Sequence, residues 1–310
     1  MKRLPIFPSG IFMTIYRRIH VEFSVLAKSL AGSILKMTYN RRSSMRKTII
    51  VVALLSVLSL MFATVSLAGP ALDRILKKGE LLVGTTGTQP PMIATTKKGE
   101  IIGLDADISR LMAAGLGVKV KFVKMPFPKL LPALESGRVD MILSGMTMTP
   151  GRNKKVAFVG PYYVSGKGIL AVAEKYAALR EATGLDTPEV TVAALKNSTS
   201  QKFAETLMPK AKLIATNSYD EAIDLLFNSK IDVLVADFPF CALTAYRFQD
   251  KGLVAGKSPL TFEPLGIAMT EDALLINWVK NFMITLKGSG QLEKLYKRWL
   301  GGGPWIKELP

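Results

Sequence analysis

Cysteine and histidine are almost missing from this chain of 310 residues: Cys241 and His20 are the sole examples of each. One cysteine excludes an internal disulfide and any multi-cysteine metal site. One histidine leaves no material for a zinc centre or a His-based catalytic triad, so neither metal nor cofactor is expected. Acidic residues are scarce beside basic ones, and the formal net charge is +17. The surplus is unevenly placed. Residues 1–68 hold ten Lys/Arg and one acid, Glu22, so about half the excess lies in that segment. The remaining lysines are scattered, as in Lys97, Lys154, Lys212 and Lys280, which reads as a solvated basic surface and not as a nucleic-acid patch. What is present is ordinary for a globular protein: 49% apolar and 21% charged residues. The length suffices for one large or two ordinary domains.

The apolar run Ile49 to Ala63 falls short of the ~20 residues that cross a bilayer. It follows the basic Met45-Arg46-Lys47 and precedes Ser66-Leu67-Ala68, with small residues at positions −3 and −1 before Gly69. That is the layout of a cleavable signal peptide over residues 45–68; an uncleaved anchor is the alternative. No cysteine lies near the cleavage point, so a lipoprotein anchor is not expected. A protein released by cleavage stays near its cell behind an outer membrane, which favours a periplasm. Signal peptides begin a chain, so residues 1–44 are expected to be a mis-assigned N-terminal extension, translation starting at Met45. A genuine membrane-surface extension is the other reading.

In the mature part, Glu80 to Val83 reads as a strand ended by Gly84. A helix with Ile108, Leu111 and Met112 on one face is closed by Gly115 and Gly117. Val118 to Val123 reads as a strand, Leu130, Leu131 and Leu134 mark a short helix, and Met141 to Leu143 is a buried strand. Apolar strands alternating with helices indicate parallel sheets covered by helices. A quiet repeat follows: Ser136-Gly137-Arg138-Val139-Asp140-Met141-Ile142-Leu143 and Asn228-Ser229-Lys230-Ile231-Asp232-Val233-Leu234-Val235. Each is a polar turn, a base, an aliphatic, an Asp and an apolar strand. Any helix-to-strand unit needs such a turn, so the repeat alone is no functional signal. The strands end in Ser144-Gly145-Met146-Thr147 and Ala236-Asp237. Ligands of open α/β sheets sit beyond such carboxyl ends.

Three helix starts are legible. Thr149 is placed to cap, with Pro150 at the first helical position. Ser198 with Gln201, and Ser218 with Glu221, have capping-box spacing. Arg152 lies one turn past the Ser144–Thr147 strand end, and a guanidinium matches a carboxylate in two parallel hydrogen bonds; on spacing alone a surface arginine is the commoner outcome. Free N–H groups at Ser198 and Thr199 attract anions, although most capping boxes only cap. Asp237, between apolar Val235-Ala236 and Phe238-Pro239, either caps locally or holds an ammonium group.

These residues together resemble the periplasmic solute-binding proteins for polar amino acids, solute-binding family 3. The resemblance rests on Gly103-Leu104-Asp105-Ala106-Asp107-Ile108, Leu131 to Asp140, Thr147-Met148-Thr149-Pro150-Gly151-Arg152, Phe158-Val159-Gly160-Pro161-Tyr162-Tyr163 and Lys297-Arg298-Trp299, in order and correctly spaced. It implies a two-lobed α/β fold of the type II periplasmic binding protein kind, each lobe a central sheet flanked by helices, joined by two hinge crossovers. Lobe 1 is expected over residues 69–168 and 258–310, lobe 2 over 169–257. The implied function is capture of an amino acid or similar small zwitterion by hinge closure, as a monomer, for the membrane permease of an ABC importer.

The resemblance also implies roles. Arg152 would grip the α-carboxylate, with Thr147, Ser198 and Thr199. Asp237 would bind the α-ammonium, with Thr147 and the Gly145 carbonyl. Phe127 would wall the ligand side chain. Gln89 stands where the family has a stacking aromatic, and Thr86 where binders of basic amino acids carry an acid, so a basic side chain would lack its counter-charge. Asn197 replaces a usual Gly and tolerates positive φ. The same fold family includes periplasmic dehydratases of cyclic acids, and a dehydratase-like enzyme with Glu263 as its candidate acid or base is the alternative function.

Overall fold

The computed structural model describes residues 70–172 and 182–310. The extension and signal peptide expected over residues 1–68 lie outside them. The described chain opens with helix α1 (Pro70–Lys78) and strand β1 (Glu80–Thr85). A small antiparallel sheet follows, of β2 (Thr88–Gln89), β3 (Ile93–Thr95) and β4 (Ile101–Ile102). Next come α2 (Leu104–Gly115), β5 (Lys119–Lys124), α3 (Phe127–Glu135), β6 (Met141–Ile142), α4 (Pro150–Asn153) and β7 (Ala157–Ser165). The second half supplies β8 (Lys167–Ala171), β9 (Thr191–Leu195), α5 (Thr199–Leu207), β10 (Lys212–Thr216), α6 (Tyr219–Phe227), β11 (Val233–Asp237), α7 (Phe238–Arg247) and β12 (Val254–Ala255). The chain then adds β13 (Glu263–Met269), α8 (Ala273–Gly288) and α9 (Gln291–Leu300).

Two five-stranded sheets share one plan. The first runs β5-β1-β6-β13-β7 and the second β10-β9-β11-β8-β12. In each, three neighbouring strands are parallel and two more pair antiparallel. The two halves of the sequence repeat do the same work in both. Asp140 Oδ2 accepts the Leu82 N–H at 2.7 Å, while the Asp140 N–H donates to the Leu82 carbonyl at 2.8 Å. Asp232 Oδ2 accepts the Thr191 N–H at 2.7 Å, while the Asp232 N–H donates to the Thr191 carbonyl at 2.8 Å. Each Asp thus pins the start of a parallel neighbour and sets which residues reach the carboxyl edge.

Gly84 does not end β1, which continues to Thr85. The glycine serves close packing: a Cβ there would lie 3.2 Å from Val139 and 3.4 Å from Leu130 of α3. The C-terminal motif is an anchor. Trp299 is buried, donates to Asp107 Oδ2 at 2.9 Å and packs on Trp305 with ring centroids 5.1 Å apart. This ties α9 to α2 over the first sheet.

The backbone passes between the sheets at Gly166, where β7 ends and β8 begins, and returns through residues 256–262. Lys167 and Gly168, assigned to the first lobe from sequence, therefore belong to the second sheet. The two crossing segments touch. A Cβ on Gly166 would sit 2.3 Å from the Thr261 carbonyl oxygen and 2.5 Å from Pro259. Gly166→Ala is expected to force them apart at a cost of about 1–3 kcal/mol. Urea unfolding should show a lower midpoint with unchanged slope; an unaltered midpoint would mean the crossover yields freely.

Candidate functional site

The polar strand ends meet. Gln89, Phe127, Gly145, Thr147 and Arg152 from the first lobe face Leu195, Ser198, Thr199, Ser200, Tyr219, Lys167 and Asp237 from the second across a narrow cavity.

Local structure explains the placement. Thr149 Oγ1 accepts the Arg152 N–H at 3.2 Å and starts α4, which turns Arg152 towards the cavity. Arg152 Nη1 donates to the Thr147 carbonyl at 2.8 Å, and its guanidinium carbon lies 5.4 Å from the Phe127 ring centroid. Phe127 thus backs the arginine as well as walling the cavity. Burial pushes the Arg152 guanidinium below its ordinary value, opposed by the negative charges of Glu263 and Asp237. Ser198 caps α5 by accepting the Gln201 N–H at 3.1 Å. The return arm of this capping box reaches one residue further out: Gln201 Oε1 accepts the Asn197 N–H at 2.6 Å. Asn197 has φ 59°, as its substitution for glycine requires. Ser218 and Glu221 repeat the pattern at α6, with Asn217 receiving the return arm.

The walls touch at three points. Arg152 Nη2 donates to the Asn197 carbonyl at 3.3 Å, and the Thr147 and Thr199 hydroxyls are 3.3 Å apart. Gln89 Nε2 donates to Asp237 Oδ2 at 2.7 Å. Asp237 stands at the start of α7 yet makes no side-chain cap. Its other oxygen, Oδ1, accepts from Lys167 Nζ at 2.6 Å.

One expected contact lies elsewhere. Thr86 does not line the cavity; its N–H and hydroxyl are 3.0 and 3.1 Å from the Ser144 hydroxyl, which holds it behind the wall. Gly145 does line it, with φ 59°, and its N–H donates to Asp105 Oδ2 at 2.7 Å. The buried Asp105 thereby fixes the loop that carries Thr147. Desolvation pushes its carboxyl up to about 7, against the pull of the Gly145 hydrogen bond.

Lys167 and Tyr219 were not anticipated. Tyr219 follows a cap serine and reads from sequence as helix core. Lys167 opens an otherwise apolar run, Lys167 to Ala171, which is the one available sign that its charge is buried for a reason. Only the antiparallel ladder of β8 and β11, which sets Lys167 opposite Asp237, reveals the pair.

A family model described as bacterial extracellular solute-binding proteins, family 3, matches residues 81–302. The chain is 26% identical over 229 residues to a cyclohexadienyl dehydratase of Pseudomonas aeruginosa, covering 74% of this chain and 85% of the relative. It is 29% identical over 218 residues to an arginine-binding periplasmic protein of Mannheimia haemolytica, covering 69% and 88%. Among solved structures, the ancestral amino acid-binding protein AncCDT-1, a precursor of cyclohexadienyl dehydratase, superposes with TM-score 0.68 at 36% identity, covering 74% of this chain and 99% of that one.

Asp105 has a consequence for stability. Its carboxyl is raised from 3.8 to about 7 in the folded chain, so between those values the folded state keeps a proton that the unfolded state releases. The stability it contributes is complete below about pH 4 and is lost as pH rises to about 7. Asp105→Asn keeps an acceptor for Gly145 without the ionisation. Relative to wild type, the variant should gain about 3 kcal/mol between pH 5 and pH 8. Denaturant titrations at both pH values check this, and a pH-independent difference would refute it.

Proposed function

The chain belongs to the bacterial extracellular solute-binding proteins, family 3, and from that membership we propose that it captures an amino acid or similar small zwitterion for an ABC importer. The observation that carries this reading is the shared cavity of Arg152 and Asp237, one from each lobe. A carboxylate on Arg152 and an ammonium near Asp237 bridge the two lobes, so the free energy of binding becomes free energy of closure. Thr147, Ser198 and Thr199 offer hydroxyl and N–H groups beside Arg152, and Gln89 and Phe127 flank the solute. The mature chain acts as a monomer in the periplasm, freed from its leader after Ala68, and docks in its closed form on the membrane permease.

The dehydratase of Pseudomonas aeruginosa favours a second reading, an enzyme acting on a cyclic acid. It needs a positioned acid in the cavity. Glu263 is engaged instead: its Oε2 lies 3.5 Å from Lys167 Nζ, and its Oε1 accepts from the Thr261 hydroxyl at 3.3 Å. That engagement supports capture over catalysis. Incubation with prephenate and arogenate separates the two, since aromatic product would establish the enzyme.

A thermal-shift screen of the mature protein against amino acids and small organic acids tests the capture reading. Ligand at a hundredfold excess over its dissociation constant adds about 2.7 kcal/mol of stability. Asp237→Ala should cost about 3–5 kcal/mol of binding, because it unpairs a buried charge, and should weaken closure measured by small-angle scattering. Normal affinity of the variant by calorimetry would remove Asp237 from the site. Arg152→Ala should abolish detectable binding of any carboxylate solute, and retained affinity would do the same for Arg152.

A further inference from the structure

The cavity and its immediate backing hold one more charged pair than a carboxylate clamp and an ammonium clamp require. Lys167 is 1% exposed, its Nζ 2.6 Å from Asp237 Oδ1 and 3.5 Å from Glu263 Oε2. Glu263 is 9% exposed. Its Oε2 has no hydrogen-bond partner of ordinary geometry and is held by charge alone. Glu263 pairs in register with Ser165, and Lys167 opens the next strand two residues on. Both residues therefore flank the crossover. The Lys167 N–H donates to the Thr261 hydroxyl at 2.9 Å, and the same hydroxyl donates to Glu263, which closes the cluster across the hinge.

A hinge motion at the crossover displaces groups beside the pivot least. Lys167 and Asp237 are opposite residues on adjacent strands of one lobe, and Glu263 lies beside the pivot. Gln89 to Asp237, Arg152 to Asn197 and Thr147 to Thr199 join the two lobes farther from the crossover. Arg152, Lys167 and Asp237 line the site, and Glu263 stands behind Lys167 and offsets the second cation, so the buried set is two cations and two carboxylates. Asp105, behind the Gly145 wall, is raised to about 7 by burial and adds no charge well below that pH. A buried charge without a counter-charge is strongly disfavoured. The solute must then bring no net charge of its own. Asp237 still has room for an ammonium group: two donors occupy it, and a carboxylate offers about four lone-pair sites.

We propose that Lys167 and Glu263 are specificity-determining residues, a fixed charge pair that sets the closed cavity at zero and restricts its solute to an amino acid with an uncharged side chain. This rests on the capture reading and narrows it. A basic side chain leaves the cavity one charge positive and an acidic one leaves it one charge negative. The restriction thus comes from residues at the hinge as well as from the loop that carries Thr86 and Gln89.

Removing either member shifts the balance in a known direction, and the test uses both. Dissociation constants for arginine, glutamate and the twelve amino acids with uncharged polar or aliphatic side chains are measured by calorimetry at pH 5, well below the raised Asp105 carboxyl. Wild type should prefer an uncharged amino acid at least tenfold over arginine and glutamate. Lys167→Met, which leaves the cavity one charge negative, should move the arginine-to-uncharged ratio at least tenfold towards arginine. Glu263→Gln, one charge positive, should move the glutamate ratio likewise. The double variant Lys167→Met/Glu263→Gln restores equality and should return to the wild-type order. If Lys167→Met does not fold, Glu263→Gln and the double variant still decide the matter. Wild type binding arginine or glutamate most tightly, or the two single variants shifting preference in the same direction or not at all, would overturn the charge rule and leave amino-acid capture standing. Wild type binding no amino acid would overturn both.

Discussion

Everything at this site turns on the Asp237 carboxylate. It is buried at the carboxyl end of a central strand, in the second lobe, and a charge in that position has to be matched. Its own helix does not match it, since Asp237 opens α7 without capping it. Lys167 matches it from the same sheet and Gln89 from the other lobe. One oxygen is thus tied to a partner that travels with it. The other is tied to a partner on the opposite lobe. A carboxylate divided in this way couples chemistry at the cavity to the position of the lobes.

The surrounding scaffold makes that division reproducible. Two sheets of the same plan, each pinned by an Asp at the start of a parallel strand, deliver their carboxyl edges to one gap. The first edge delivers Gly145 and Thr147, and through α4 it delivers Arg152. The second delivers Asp237 and the N-terminus of α5. Asp105 holds the Gly145 loop from behind. The cost of burying that carboxyl is accepted where it orders the wall that faces the solute. At the hinge, Gly166 lets two backbone segments approach more closely than any side chain would permit, so the lobes pivot over a narrow joint that Lys167 and Glu263 brace.

Kinship and geometry bear on different questions. The family model and the amino-acid-binding relatives speak to the class of protein. The relation to a dehydratase shows that this scaffold also supports catalysis. Between those outcomes the arrangement of Glu263 matters. An acid paired with a lysine and a threonine hydroxyl at the hinge tunes the charge of a cavity, whereas one aimed into the cavity would move a proton.

Much of this was written locally in the chain. Thr149, Ser198 and Ser218 cap their helices because a hydroxyl reaches the N–H three residues on, whatever surrounds it. Asn197 takes a positive φ because its side chain tolerates it. Strand ends carry Gly145, Thr147 and Asp237 to a sheet edge because parallel strands all finish on one side. The distant pairings could not be read in this way. Lys167 is one lysine among many until an antiparallel ladder sets it across from Asp237, seventy residues away. Thr86 turned to Ser144 and left the cavity, since a hydroxyl takes the nearest partner that the folded chain offers. Short-range hydrogen bonding and apolar periodicity are properties of neighbouring residues, and the sequence by itself determined them. Which buried charges meet depends on strand order and on the crossing at the hinge, and only the tertiary structure decided that.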